Sequence, residues 1–296
     1  MLDFLVYFLT VAAIYSLLVL SLNLQTGVTG MINFGQIAYF GIGAYGVGIA
    51  TKSGGTWWLG LLVGVVVAAG LGAGLGLLGR RLAADYWAIV TLGVAECIRL
   101  VAANQTALSG GPQGISGISS PLSGIAAGTR PFAWLATVLI VLALAYAALR
   151  VLTRMQFGRS LRLLREQPLL AESLGHPVGR RRVQMLIIAG AIGALGGACY
   201  AMYTSFVGPN QLLPAETFVL FTMLIIGGTG STAGAVAGAV IVQFVYTATR
   251  FVNDYVAVPV DQQGSIRVLI VGVILFFFLM LRPSGLLPER PRRIHA

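Results

Sequence analysis

Apolar stretches near 4–24, 32–51, 57–79, 84–104, 132–152, 183–205, 216–229, 232–250 and 265–282 occupy most of this chain. The hydrocarbon core of a bilayer takes about 20 apolar residues of helix to cross. Inside it the backbone finds no water, so only helices or closed barrels can span it. Helix-length apolar stretches repeated along 296 residues therefore predict an all-α polytopic membrane protein. Charge content agrees: 9% of residues are charged, against roughly 25% in soluble domains. A soluble globule of this size needs a charged skin that this sequence cannot supply. Residues 1–296 read as one membrane domain of nine spans, or eight or ten if a segment is re-entrant or split.

The net charge of +10 could suggest nucleic acid, but its placement argues otherwise. Of 19 Lys and Arg, 14 fall at Arg80–Arg81, Arg150–Arg182 and Arg282–Arg293. All three groups abut the ends of apolar stretches, which is the pattern that retains basic loops in the cytoplasm. Segments 105–131 and 251–264 then lie outside, and the C-terminus is cytoplasmic. The start, MLDFLVYFLT, has no basic residue, so it is not read as a cleavable signal and is placed outside. The longest charged island, 153–182, holds seven Arg against Glu166 and Glu172. As a solvated loop it would set topology and touch anionic membrane lipid. Residues 159–173 also read as a helix with apolar and basic faces, stopped at Gly175, which suits docking in a partner's groove.

Apolar helices in lipid associate through close backbone packing, which small residues permit. The chain has 39 Gly, and they recur at helical spacing: Gly60/Gly64, Gly72/Gly76, Ala189/Gly193/Gly197 and Gly230/Gly234/Gly238. Packing within one bundle is the favoured reading; packing against a second membrane subunit is the alternative. Gly227, Gly228 and Gly230 interrupt the apolar run between 216–229 and 232–250, where unwound or re-entrant backbone fits if packed in protein. Segments 27–48 and 218–238 are both Gly-rich, a likeness of composition only.

Catalytic and cofactor motifs are missing from the sequence. Gly41-Ile42-Gly43-Ala44-Tyr45-Gly46 matches G-x-G-x-x-G, but it lies in an apolar run with no acid between Asp3 and Asp85. No Gly-Lys-Ser/Thr occurs, and Lys52 is the only lysine. Neither ATP nor any other cofactor is expected on this chain. Cys97 and Cys199 lie in apolar spans and read as small buried residues. His176 and His295 have no nearby ligand set, so no metal is expected. With no paired acids and no Ser/His/Asp set, the chain is not read as an enzyme.

A few polar residues remain inside the spans. Glu96 and Arg99 share a face of 84–104, and each charge costs roughly 2.5–3.5 kcal/mol at a helix centre. They line a pathway or form a packing pair. Asn23, Gln25, Asn33 and Gln36 bracket Thr26-Gly27-Val28-Thr29-Gly30 and can satisfy a broken helix or line a path beside it. Pro214 and Glu216 resemble a helix start, with Glu216 as cap first and solute contact second.

Several blocks resemble the branched-chain amino acid permeases of the LivM type within the ABC importers. They are Leu22-Asn23-Leu24 with Gly27-Val28-Thr29-Gly30, Phe40 to Tyr45, Tyr86-Trp87-Ala88-Ile89-Val90-Thr91-Leu92 with Glu96, and Ser109 to Gly114. Further blocks are Phe157-Gly158-Arg159 with Arg165-Glu166, Ile226-Gly227-Gly228-Thr229-Gly230, and Arg282-Pro283-Ser284-Gly285-Leu286, while Leu170-Ala171-Glu172-Ser173-Leu174-Gly175 resembles the Glu-Ala-Ala…Gly signature of ABC importer permeases more broadly. The resemblance implies a bundle of about 8–10 transmembrane helices with broken or re-entrant segments, in the bacterial inner membrane. It implies a LivH-type second permease, two cytoplasmic ABC ATPase subunits carrying ATP and Mg, and an extracytoplasmic solute-binding protein. Residues 159–175 would be the coupling helix, with Arg159, Arg162, Arg165, Glu166, Ala171, Glu172, Leu174 and Gly175 docking on the ATPase. Pathway candidates are Asn33, Gln36, Tyr45, Thr91, Glu96, Arg99 and Glu216. Met31-Ile32-Asn33-Phe34 departs from the Gln-Leu-Ser-Leu more common in this family. The solute thus stays open between branched-chain amino acids and others carried by relatives, such as urea or short amides. An ion-coupled secondary transporter is the rival; it would need intramembrane acids, for which Glu96 is the main candidate.

Overall fold

The computed structural model describes residues 2–80, 82–126 and 128–255, with 272, 273, 276, 278, 280–282 and 285–288. Arg81, most of the stretch 265–282, the segment 256–264, His295 and the C-terminus lie outside the described residues.

Helices dominate, as the helix-length apolar stretches predict. Helix α1 (Leu2–Leu22) runs on into a six-residue π-helical segment, Asn23–Val28. It is followed by α2 (Gln36–Lys52), α3 (Trp57–Leu78), α4 (Ala84–Asn104), the short α5 (Thr106–Ser109) and α6 (Arg130–Arg154). The charged island carries α7 (Gln156–Glu166) and α8 (Pro168–Ser173). Then come α9 (Val178–Thr204), α10 (Pro214–Gly227) and α11 (Thr232–Tyr255). Among the described residues, five helices are long and apolar enough to cross a membrane: α1 with its extension, α3, α4, α6 and α9. Helix α10 has 14 residues, about 21 Å at 1.5 Å per residue, too short to cross a core about 30 Å thick. It is bent by 120° from α11 across the Gly-rich break, so the sequence's two stretches 216–229 and 232–250 form one broken unit.

Helices α1 and α9 are central: 72% and 67% of their most apolar windows are buried, against 17% for α6. Helices α3, α4 and α6 turn Val66, Ile89 and Leu144 outward, as lipid-facing helices do. The glycine spacing works inside the subunit. A Cβ on Gly46 would lie 2.8 Å from the Gly60 carbonyl, and one on Gly60 2.7 Å from Val47 Cα. On α9, a Cβ at Gly190 would lie 2.7 Å from the Ala68 carbonyl, and one at Gly193 2.9 Å from Tyr39 Cβ. Thus α2, α3 and α9 pack backbone to backbone through these residues. The G-x-G-x-x-G run is part of that packing in the middle of α2, as an apolar helix and not a nucleotide loop.

At one end of the bundle, β1 (Ile115–Ser116) pairs antiparallel with β2 (Phe206–Val207), in register Ile115 with Val207. This clip ties the 105–131 segment to the end of α9. The Arg-rich elements α7 and α8 occupy the other end.

Two expectations are corrected. The coupling segment 159–175 is not one helix. Pro168 cannot donate a backbone hydrogen bond and forces Gln167 out of the helical region (φ −145°, ψ 80°), so α7 ends and α8 starts afresh. Gly175 does end α8, at φ 77°, with its amide bonded to the Glu172 carbonyl and that of His176 to Ala171. Cys199 is buried, but Cys97 is exposed on the outward side of α4, because the buried line of that helix runs through Trp87, Thr91 and Ala95.

Candidate functional site

The break after α1 is held by a buried amide network. Gln25 Nε2 donates to Gln36 Oε1 at 2.6 Å, and Asn33 Nδ2 donates to Gln25 Oε1 at 2.7 Å. Gln36 Nε2 donates to Ser21 Oγ at 2.8 Å, and Ser21 Oγ donates to the Ala189 carbonyl of α9 at 2.6 Å. Asn33 Oδ1 accepts the Gly35 amide at 2.8 Å. Thr91 of α4 accepts the Phe34 amide at 3.2 Å, and Thr217 of α10 accepts that of Ile37 at 3.3 Å. A helix broken inside a bilayer leaves amides and carbonyls without partners, and these side chains replace them. Asn33, Gln36, Thr91, Gln25 and Ser21 are fully enclosed. In this conformation Asn33, Gln36 and Thr91 brace the loop and line no open path, and Tyr45 is likewise buried.

The second break meets the first. Asn23 Oδ1 accepts the amide of Gly230 at 2.8 Å. A Cβ on Gly27 would run into both the Asn23 side chain and the Gly230 backbone, so only glycine permits the approach. The Arg282–Leu286 block joins here: the Leu286 and Leu287 amides donate to the Ile226 and Gly227 carbonyls, each at 3.0 Å. The two Gly-rich segments with matching composition therefore face each other.

Arg165 reaches into this knot from α7. Its Nη1 donates to the Gly27 carbonyl, and its side chain packs over Gly30, where a Cβ would come within 2.8 Å of Arg165 Cγ. Gly30 has φ 75°, a conformation that glycine alone adopts freely. Arg165 is therefore divided between the interior, through Nη1 on Gly27, and the surface, where its Nη2 donates to the exposed Glu166 at 3.4 Å, so only part of the side chain faces outward as the docking assignment has it. Ala171 is a correction: it is fully buried with Leu164 and Val178, so it braces α8 on α7 and α9 and is not exposed for docking. Arg159, Glu166, Glu172, Leu174 and Gly175 are exposed, and Arg162 is half-buried. Leu169, 82% exposed and not among the docking residues that the resemblance implies, stands beside Leu170 and Leu174 as an apolar ridge on the hairpin. Behind it, Arg80, Glu172, His176 and Arg180 line a polar notch of about 350 Å³.

Two charged sites remain in the spans. Arg99 grips Glu96 with two bonds, Nε to Oε2 at 2.8 Å and Nη2 to Oε1, and the pair is half-exposed on the side of α4. Glu216 is different. It accepts a hydrogen bond from Tyr15 at 3.4 Å, and no cation lies within ion-pair distance of it among the described residues. Tyr15 is 201 positions away in sequence, so nothing local signalled this contact.

Residues 4–279 match the family described as branched-chain amino acid transport system / permease component. The high-affinity branched-chain amino acid transport system permease protein LivM of Salmonella typhimurium is 30% identical, over 96% of this chain and 70% of its own length. A probable branched-chain amino acid transport permease protein LivM of Methanocaldococcus jannaschii is 29% identical, over 94% of this chain and 91% of its own. The autoinducer 2 import system permease protein LsrC of Klebsiella pneumoniae is 30% identical over 58% of this chain and 49% of its own length.

Proposed function

This chain belongs to the branched-chain amino acid transport permease family, and from that premise we propose that it forms part of the translocation path of an ATP-driven importer for amino acids of the branched-chain class. It is a multi-pass membrane protein, which we place in a bacterial inner membrane with the Arg-rich end and the C-terminus in the cytoplasm. A LivH-type permease completes the path, a solute-binding protein delivers solute from outside, and two ABC ATPase subunits hold and hydrolyse ATP. This chain supplies no catalysis of its own.

The observation that carries the proposal is the two-sidedness of the α7–α8 hairpin. Its outer side shows Leu169, Leu170 and Leu174 among Glu166 and Glu172, an apolar ridge with charges around it that suits a protein groove. Its inner side sends Arg165 to Gly27, at the junction of the two broken helices. A motor seated on the outer side thus acts on the part of the bundle where spans are already interrupted. Shifting a two-state equilibrium from 1:99 to 99:1 takes about 5.5 kcal/mol of differential binding, and ATP binding at the docked subunits supplies it.

Co-expression with the neighbouring ATPase and permease subunits, followed by leucine uptake into proteoliposomes with ATP inside or outside, tests this. The proposal requires uptake only when the ATPases are present and fuelled. Uptake that persists without them and collapses with an uncoupler would replace it with ion-coupled transport. Uptake of autoinducer 2 or urea in place of leucine would keep the machine and change its solute.

A further inference from the structure

Three of the five spans, α3, α4 and α6, are mostly exposed, and only α4 carries charge on its outward side. Helix α3, and α6 from Pro131 to Leu149, contain no Asp, Glu, Lys or Arg, and they turn Leu62, Val66, Ile140 and Leu144 outward. Acyl chains are as apolar as these side chains and cover them readily. Helix α4 is the least apolar of the five spans, yet it is scarcely more buried than α6. Its inward line runs through Trp87, Thr91 and Ala95, so Gly93, Cys97 and Leu100 fall on the opposite side, with the Glu96–Arg99 pair beside them. A Cβ on Gly93 would meet nothing within 4 Å.

Glu96 lies about 18 Å from the Ala84 end of α4 and about 12 Å from the Asn104 end, at 1.5 Å per residue. That is well inside a hydrocarbon core about 30 Å thick. Arg99 does not stretch toward the nearer headgroups, as an arginine against lipid does. It folds back one turn deeper and gives both its bonds to Glu96. Ionisable residues at such depth face a bundle interior or a water-filled cavity. Among the described residues no element covers this side of α4, where Ile89, Leu100 and Val101 are exposed as well. Of the C-terminal segment, Phe278 and Leu286 sit elsewhere, against Ile226 and Val242.

We propose that this side of α4 looks onto a water-filled gap closed by the second permease subunit, with the Glu96–Arg99 pair as its polar lining. Helices α3 and α6 look onto lipid instead. The seam between the two permeases then runs along Ile89, Gly93, Cys97 and Leu100, and the pair serves that seam, not packing within this chain. A bilayer around this chain alone would press acyl chains against two charges, so the partner is needed on this side in particular. This deepens the importer reading and rests on it.

The native cysteines allow the test without substitution, since Cys97 is exposed beside Glu96 and Cys199 is buried. The chain is co-expressed with the neighbouring permease and ATPase subunits and reconstituted into liposomes. The charged thiol reagent sulfonatoethyl methanethiosulfonate is supplied on both sides of the membrane, with and without ATP, and labelled peptides are mapped by mass spectrometry. Only a thiol that reaches water ionises and reacts. Cys97 should be labelled in at least one of these states, and Cys199 in neither. Leu144→Cys in a Cys97→Ser chain places a thiol at similar depth on α6, and it should react at least about tenfold more slowly than Cys97. A benzophenone maleimide on Cys97 should, on illumination, join this chain to the second permease subunit, whereas one on Leu144→Cys should not. Labelling of Cys97 no faster than of Leu144→Cys, or a Cys97 photoprobe that fails to join that subunit, would overturn the proposal. ATP-driven leucine uptake is measured on the same vesicles before labelling. Its absence beside a labelled and cross-linked Cys97 defeats the importer reading alone. Its presence beside an unlabelled Cys97 defeats the water-facing seam alone.

Discussion

The guanidinium of Arg165, on the helix that follows α6, donates to the carbonyl of Gly27, in the π-helical turn that ends the first span. It joins the Arg-rich hairpin to the place where both interrupted helices touch. Hydrogen bonds to charged groups contribute about 1.5–3 kcal/mol. Arg165→Ala should leave the exposed ridge of α8 intact, so ATPase subunits should still co-purify while ATP-driven uptake falls about tenfold or more. Arg165→Lys, which keeps the charge and loses the planar fork, should recover only part of it. Normal uptake by Arg165→Ala would remove the residue from the coupling route.

The ridge itself should behave in the opposite way. Leu169 and Leu174 are 82% and 63% exposed, so charging them costs the folded chain little. The double change Leu169→Glu and Leu174→Glu should leave the melting temperature within about 2 °C, given surface effects of about 0.5 kcal/mol. It should abolish co-purification of the ATPase subunits. Retained co-purification would put the docking surface elsewhere.

Asn23 bridges the breaks by accepting the Gly230 amide. Asn23→Ala leaves that half-buried amide without its partner, at about 1 kcal/mol. A lower melting temperature, measured by fluorescence-detected size exclusion, is expected. Asn23→Asp keeps the acceptor and should retain more of the stability than Asn23→Ala does.

Glycines that look alike in the sequence should separate sharply. A Cβ on Gly193 meets Tyr39 Cβ at 2.9 Å, whereas one on Gly70 or Gly74 meets nothing within 4 Å. Gly193→Val should cost about 1–3 kcal/mol through overpacking. Gly70→Ala and Gly74→Ala should be neutral or slightly stabilising, since alanine suits a helix interior better. Comparable effects at all three positions would count against the packing described between α2, α3 and α9.

The spans were legible because lipid demands long apolar runs, and each predicted stretch up to residue 250 overlaps a helix of the structure. The re-entrant break at 227–231 was legible from its three glycines and from the shortness of α10. The division of the coupling segment was available in Pro168 but was masked by the apolar and basic faces that 159–173 shows when read as one helix. The two-residue strands β1 and β2 are too short to leave a pattern. The role of Arg165 was hidden because an arginine in a basic run reads as solvated, and only the fold shows which one turns inward. The contact of Tyr15 with Glu216 joins positions 201 apart and leaves no local trace.

Accessibility of the hairpin tests the account most directly. Leu174→Cys is introduced with Cys97→Ser and Cys199→Ser, and labelled with a membrane-impermeant maleimide. No reaction is predicted in intact cells, full reaction in inverted vesicles stripped of ATPase subunits, and protection when those subunits are bound. Labelling in intact cells, or labelling of inverted vesicles that bound ATPase leaves unchanged, would contradict a motor seated on this helix.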